Sequence, residues 1–511
     1  MPKSYLYRVL PVAMSLLAGC ANEDLDEGVG SAADGATAAS EEALLGAPRA
    51  RNVILFVGDG MGVSTVGATR VYSVGVDGNL VLDQLPHSAL SRTADADHIT
   101  ADSASTMTAM MSGTSTNSGV LGLGPKTEFG DFNHDGDDAR TKSLLELAKQ
   151  RGMKAGVVST ARVTHATPAA CYAHINNRDD EQAIALQALP TDPTYNKALG
   201  SGIDLILGGG RQFFVPSKVV DEEGGTGSRS DGRDLRAEYR KAGYNYVWNR
   251  EQFAATNCSS LPLLGLFERS HMEYEYDRPT DVGGEPSLTE MTVKALELLN
   301  DATRRSRHGY FLMVEAGRID HAHHAGNAWR AITDAEELDK AVGAAIAKVN
   351  LSNTLVLVTA DHSHVFTMAG YPLRPASELK YPVASAPEAY LDSPHNNVFD
   401  VVYDVDDDGD VVPAKDARGV PYTVLGYQNG PGYRGTPRVD PNVDPFPGLS
   451  GKPGAGPNDA EYRQEAAVPI GSETHAGEDV ALYAIGPRSE MVRGTVRNSY
   501  IFTIMKTALG L

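Results

Sequence analysis

The sequence predicts an α/β fold: a doubly wound, mostly parallel central sheet flanked by helices. Two observations carry that prediction. Short β-rich runs alternate with helical text, the pattern of strands joined by crossover helices. Three apolar runs then end on acidic residues: Val53–Val57 leads into Gly58-Asp59-Gly60, Tyr310–Val314 into Glu315, and Leu355–Val358 into Thr359-Ala360-Asp361-His362. In an open α/β sheet, ligands gather outside the carboxyl ends of the parallel strands, so Asp, Glu and His delivered there describe a metal site.

The elements follow in order. After the strand at Val53–Val57, Ser103–Ser112 and Thr141–Gln150 read as helices, and Ala155–Ser159 and Ile203–Leu207 as strands, the latter running into Gly208-Gly209-Gly210. Helical periodicity returns at Leu288–Leu299 and Ala328–Val349, with strands at 310–314 and 355–359. From about Gly370 to Ala467, Pro, Gly, Asn and Asp accumulate and no long amphipathic helix is legible. That is too long for a bare loop in a compact domain and predicts an inserted subdomain or interface element. Asp479–Gly486 restores a buried strand, and Ser499–Leu509 closes the chain as a helix.

With 511 residues, 41% hydrophobic and 22% charged, the composition is that of an ordinary globular protein. The net charge of -21 argues against nucleic acid as a partner, because phosphates repel an acidic surface and no basic stripe is legible. Any phosphate recognition must therefore come from local cations. At the N-terminus, Lys3 and Arg8 precede or enter an apolar stretch, Val9–Leu17, followed by Ala18-Gly19-Cys20. This is an export signal too short to span a bilayer. It resembles a bacterial lipoprotein signal over residues 1–20, with Cys20 as the acylated first residue of the mature chain. Membrane attachment through lipidated Cys20 is thus expected, on the periplasmic or cell-surface side of a bacterial envelope. Residues 21–48, acidic and without periodicity, fit a flexible tether to a domain spanning 49–511. Of the two remaining cysteines, Cys171 lies in Pro168–Tyr172, which reads as the start of a helix, and suits a small buried hydrophobe. A disulfide to Cys258 stays open on sequence alone.

Asp102-Ser103-Ala104 places a serine before small, helix-compatible residues, where the positive end of a helix dipole favours its alkoxide and a bound anion. Alone this is an ordinary N-terminal cap. It is joined, in order, by Asp59-Gly60-Met61-Gly62, Ala166-Thr167-Pro168-Ala169, Glu315 with Asp320 and His324, Thr359-Ala360-Asp361-His362, and Thr474-His475-Ala476-Gly477. From about Arg51 onward the chain closely resembles the alkaline phosphatases, and segments such as Gly370–Arg374 and Glu473–Val480 resemble the animal branch more than the enterobacterial one.

The resemblance implies hydrolysis of phosphate monoesters through a phosphoserine on Ser103, with Arg178 gripping the phosphate and Asp102 beside it. It implies two Zn²⁺, one held by Asp320, His324 and His475 and the other by Asp59, Asp361 and His362. A Mg²⁺ is implied at Asp59, Thr167 and Glu315. His165 and His321 replace the aspartate and lysine of the enterobacterial form, as in animal enzymes, which predicts a more alkaline optimum and weaker Mg²⁺ retention. A structural Ca²⁺ is implied beside Phe267, Glu268 and Glu285, near Asp221-Glu222-Glu223. A homodimer with a crown-like insertion at about 370–467 completes the expectation. His134, His271 and His364 match no ligand position. Asp131–Asp137 and Asp404–Asp410 mimic the front of a calcium loop but carry Lys142 and Lys415 at the twelfth position, so they read as solvated turns. The competing readings are a phosphodiesterase or sulfatase of the same superfamily, and a non-catalytic phosphate- or metal-binding lipoprotein.

Overall fold

The computed structural model describes residues 49–130, 139–380, 382–391, 395–435 and 456–511. Its centre is a ten-stranded sheet. In chain order the strands are β1 (Asn52–Gly58), β2 (His87–Arg92), β3 (Lys154–Arg162), β4 (Leu205–Gly209), β5 (Asn245–Val247), β6 (Leu263–Leu266), β7 (Tyr310–Ala316), β8 (Thr354–Ala360), β9 (Val480–Ile485) and β10 (Thr495–Arg497). Across the sheet they run β10-β2-β9-β8-β1-β7-β3-β4-β6-β5. Only β9 is antiparallel to its neighbours, β8 and β2. The doubly wound, mostly parallel sheet expected from the sequence is therefore the fold.

β1 shows why the middle of the sheet is continuously apolar. Ile54 and Phe56 enter the core on one face, Val53, Leu55 and Val57 that on the other, and all are fully buried. Such two-sided burial is what crossover helices impose on parallel strands. After α1 (Val63–Val74), helices α2 (Ser103–Ser112) and α6 (Tyr500–Leu509) cover one face through Met107, Met110, Ile504 and Met505. The other face takes α3 (Leu288–Thr303) and α5 (Ala328–Lys348), through Leu296, Leu299, Leu338 and Val342. Each fully buried Leu or Val contributes about 1.5–3 kcal/mol relative to exposure. A capping box starts α3: Ser287 Oγ accepts from Glu290 N–H and Glu290 Oε2 from Ser287 N–H, together satisfying two otherwise orphaned donors.

Between 366 and 469 the described residues form a three-stranded sheet (Phe366–Met368, Leu425–Gly430, Glu465–Pro469) and a hairpin (Tyr403–Val405 with Val411–Pro413). The first packs with Trp329, Phe399 and Val402 as a small core of its own. Asp404–Asp410 runs from the end of the first hairpin strand through its turn, where Asp406 Oδ1 accepts from the backbone N–H of Asp408 and Asp410. The Asp406 carboxylate and two backbone hydrogen bonds between Asp406 and Gly409–Asp410 close the turn. Asp131–Asp137 and His134 lie outside the described residues, as do residues 1–48.

Several expectations shift. β4 spans 205–209 rather than 203–207, so two of the glycines belong to the strand. An added Cβ would lie 2.7 Å from Ser159 O at Gly208 and 2.2 Å from Ser270 O at Gly209, which leaves room only for glycine. Pro168–Tyr172 does not start a helix; it closes the short helix Ala166–Ala169, where proline is tolerated in a first turn. Cys171 is buried as expected, and Cys258 is exposed; both are free thiols, so the disulfide option falls.

Candidate active site

The carboxyl ends of β1, β7 and β8 lie side by side, β1 in register between the other two: Gly58 pairs with Ala316 on one side and Ala360 on the other. Asp59, Glu315 and Asp361 therefore converge by topology. The turn after β1 requires Gly60, whose φ is +69° and whose added Cβ would meet His364 Nε2 at 2.4 Å. Gly60 N–H and His362 N–H both donate to Asp361 Oδ1 at 3.0 Å, which aims Oδ2 at the site.

Helix α4 (Arg318–His324) follows β7 and carries Asp320 and His324 one turn apart, on one face as their spacing predicts. Asp320 Oδ1 lies 3.3 Å from His324 Nε2, 3.3 Å from His475 Nε2 and 2.8 Å from His364 Nε2. His475 reaches this cluster because His475–Ala476 pairs with Ser363–His364, and its Nδ1 meets Ala101 O at 2.9 Å. Ser103 opens α2 behind the N-cap Asp102, whose side chain accepts from Ser105 N–H. Its Oγ stands 3.1 Å from His362 Nε2 and 3.4 Å from Asp59 Oδ1. Arg178 donates from Nη1 to Asp102 Oδ2 at 2.8 Å, and its Nη2 lies 3.1 Å from His165 Nε2.

The electrostatics describe a site built for cations. Burial, and then Asp361, Asp320 and Glu315, push the Asp59 carboxyl well above its ordinary range. Burial likewise lifts Glu315 to about 7. Asp320 is held low despite its burial because His324, His364 and His475 surround it. Asp59 Oδ2, Glu315 Oε1, Asp361 Oδ2 and Thr167 Oγ1 are buried without a hydrogen-bond partner. Buried carboxylates pointed at one another are costly unless a cation joins them. Three groups of donor atoms each lie within 4.8 Å: Asp320, His324, His364 and His475; Asp59, Asp320 and His362; and Asp59, His165 and Glu315. This donor chemistry fits imidazole-binding zinc in the first two groups and, for the oxygens of Asp59, Glu315 and Thr167, a harder ion.

Sequence reasoning assigned no role to four participants. His364 sits inside the first donor group, its Nδ1 bonded to Glu473, and Glu473 itself is buried behind it. Ser159 Oγ donates to Glu315 Oε2. His271 packs between His165 and His321, with ring centroids 5.3 and 4.0 Å away, and is held by Arg162. The signal for each is a contact between distant segments, which spacing along one chain does not display. Elsewhere, Glu223, Glu268 and Asp281 form a separate acidic group, with Glu285 Oε2 and Asp281 Oδ2 buried and unpartnered beside it. Burial and Asp281 push Glu285 up to about 9.

A serine at a helix N-terminus, an arginine fork and clustered carboxylates and imidazoles at parallel strand ends define a metal-dependent phosphoryl hydrolase. Comparison with known proteins agrees: the family model for alkaline phosphatase matches residues 50–511. The chain is 38% identical over 477 residues to the tissue-nonspecific alkaline phosphatase of Gallus gallus, covering 88% of this chain and 83% of that one. It is 36% identical over 476 residues to the alkaline phosphatase of Gadus morhua, covering 89% and 90%. Among solved structures, Thermus thermophilus alkaline phosphatase matches with a TM-score of 0.61 and 26% identity, over 91% of this chain and 92% of that one. The chain belongs to the alkaline phosphatase family, and it is a phosphomonoesterase.

Proposed function

We propose that phosphate monoesters are cleaved here through a phosphoserine on Ser103. The observation that carries this reading is the position of Ser103 Oγ, buried at the start of α2 and directed at Asp59 and His362. Asp320, His324 and His475 would hold one zinc, Asp59, Asp361 and His362 a second, and Asp59, Thr167 and Glu315 a magnesium ion. When bound, these ions would neutralise the transferring phosphoryl group and lower the pKa of the oxygens they contact.

The protein's own groups account for the rest. The α2 N-terminus presents its positive end to the phosphoryl oxygens and to the developing Ser103 alkoxide. Arg178 supplies a planar fork for two non-bridging oxygens, and Asp102 fixes its orientation. Ser103 Oγ attacks phosphorus, the alcohol leaves, and water then attacks the phosphoserine to release inorganic phosphate. Glu473 anchors His364, and His364 in turn orients Asp320. His165 and His321 are kept neutral: burial and Arg178 hold His165 far below its usual range, and burial and Arg318 bring His321 to about 3.

The same reading includes a structural Ca²⁺ at Phe267, Glu268 and Glu285, export with a lipid on Cys20, and a homodimer using the 370–467 segment. No described helix is long and apolar enough to cross a membrane. The mechanism is tested by acid-quenching the metal-replete enzyme during turnover and mapping phosphate on peptides. Phosphate on Ser103, absent from Ser103→Ala, supports it; turnover with no phosphopeptide contradicts it.

A further inference from the structure

At the pole opposite the active site, the starts of β1 and β7 and the end of α6 frame a cleft of about 550 Å³. It is lined by Arg49, Arg51, Arg151, Arg307 and His308 around a floor of Met153 and Leu509. Arg304 and Arg305 stand exposed on the same turn as Arg307. In a chain with 66 acidic and 45 basic residues, this density of arginine is unusual. Arg51 and Arg151 bond to backbone carbonyls, of Thr303 and Ser306 and of Gly510, and Arg307 to His308. Among the described residues, none of these arginines forms an ion pair with a carboxylate. Nearby Lys154 differs, being taken up by Asp204.

Unpaired arginines in a protein of opposite net charge lower the local repulsion toward anions without any internal role in charge balance. The placement narrows the partner. Arg49, next in sequence to residues 1–48, lines the cleft. β1 has seven residues at about 3.3 Å each, which separates this pole from Asp59 by roughly 20 Å. A surface bound here leaves the phosphate-binding end facing solvent. We propose that this arginine cleft docks on an anionic phospholipid surface, its guanidinium groups binding headgroup phosphates and orienting the active site away from the membrane.

The proposal shares the Cys20 anchor only as the reason a membrane is close; headgroup binding is measured without the acyl chain. The full chain carrying Cys20→Ser is sedimented with vesicles of phosphatidylcholine alone, or of phosphatidylcholine containing phosphatidylglycerol. Any contribution of the apolar leader is common to both. Preferential binding to the anionic vesicles is expected. With about 1 kcal/mol per surface arginine, Arg49→Gln, Arg151→Gln and Arg307→Gln together should weaken it about a hundredfold. Phosphatase activity in solution should stay unchanged, and the corresponding triple lysine variant should retain binding. Half-molar salt should release the wild type, since the screening length then falls to about 4 Å. Equal binding to both vesicles, or a glutamine variant that binds like wild type, would overturn the proposal. So would release by millimolar inorganic phosphate, which would mark a free-anion site instead. Failure of acylation at Cys20 would show separately, as an unmodified mature N-terminus in the wild type.

Discussion

Replacing Arg178 separates substrate recognition from the rest of the site. Its two terminal nitrogens are 2.8 Å from Asp102 Oδ2 and 3.1 Å from His165 Nε2, and the nearby Asp59 and Asp320 carboxylates favour its charge. Arg178→Ala deletes two charge-assisted bonds to phosphoryl oxygens, each worth about 1.5–2 kcal/mol, so kcat/KM should fall by roughly 10² to 10³. Arg178→Lys keeps the charge but loses the fork, and a loss of roughly tenfold is expected. The fold should tolerate both, because Asp102 still accepts from the backbone N–H of Ser105 and Gly119 at 3.0 Å. Burial tends to raise the Asp102 pKa, but Arg178 and the backbone N–H groups of Ser105 and Gly119 together more than offset it and leave it low. A depressed carboxylate stabilises the fold above its unfolded pKa and loses that contribution as pH falls through its folded value. At alkaline assay pH this group does not titrate, so the loss reports on recognition. The assay is p-nitrophenyl phosphate turnover with the inhibition constant of inorganic phosphate, on metal-replete enzyme. A change in kcat/KM below fivefold for Arg178→Ala, with phosphate affinity intact, would refute the reasoning.

Gly60→Ala forces a left-handed residue to carry a Cβ against His364; melting temperature and zinc retention should both fall, the backbone cost alone being about 1 kcal/mol. Leu296→Ala, fully buried on α3, should cost about 2–5 kcal/mol in chemical denaturation while leaving KM unchanged. In calcium-free protein, Glu285 is raised to about 9 by burial, Asp281 and Glu268. Its stabilising contribution is complete below the ordinary carboxylate pKa and is lost as pH rises toward 9. Added calcium should therefore raise the melting temperature more at pH 9 than at pH 6, and Glu285→Gln should abolish that difference.

The site was legible where chemistry follows strand ends. Asp59, Glu315 and Asp361 could be placed together because β1, β7 and β8 are unbroken apolar runs, and parallel strands point their ends the same way. His324 came from the family resemblance, and its spacing to Asp320 puts both on one face of a helix. β2 was not legible because four of its six residues are intermediate or exposed, so its text is His-Ser-Ala-Leu-Ser-Arg rather than an apolar run. β5 and β6, at three and four residues, are too short for any period to show. The roles of Glu473, Ser159 and His271 depend on contacts 109, 156 and 109 residues away in sequence, which only tertiary structure reveals.

The most direct test of the mechanism is p-nitrophenyl phosphate hydrolysis across pH by the purified protein, after EDTA and after adding back Zn²⁺ and Mg²⁺, beside Ser103→Ala. The account predicts alkaline activity that chelation removes, metal restores, and Ser103→Ala lacks. Wild-type activity that survives full chelation, or a Ser103→Ala enzyme with undiminished turnover, would contradict it.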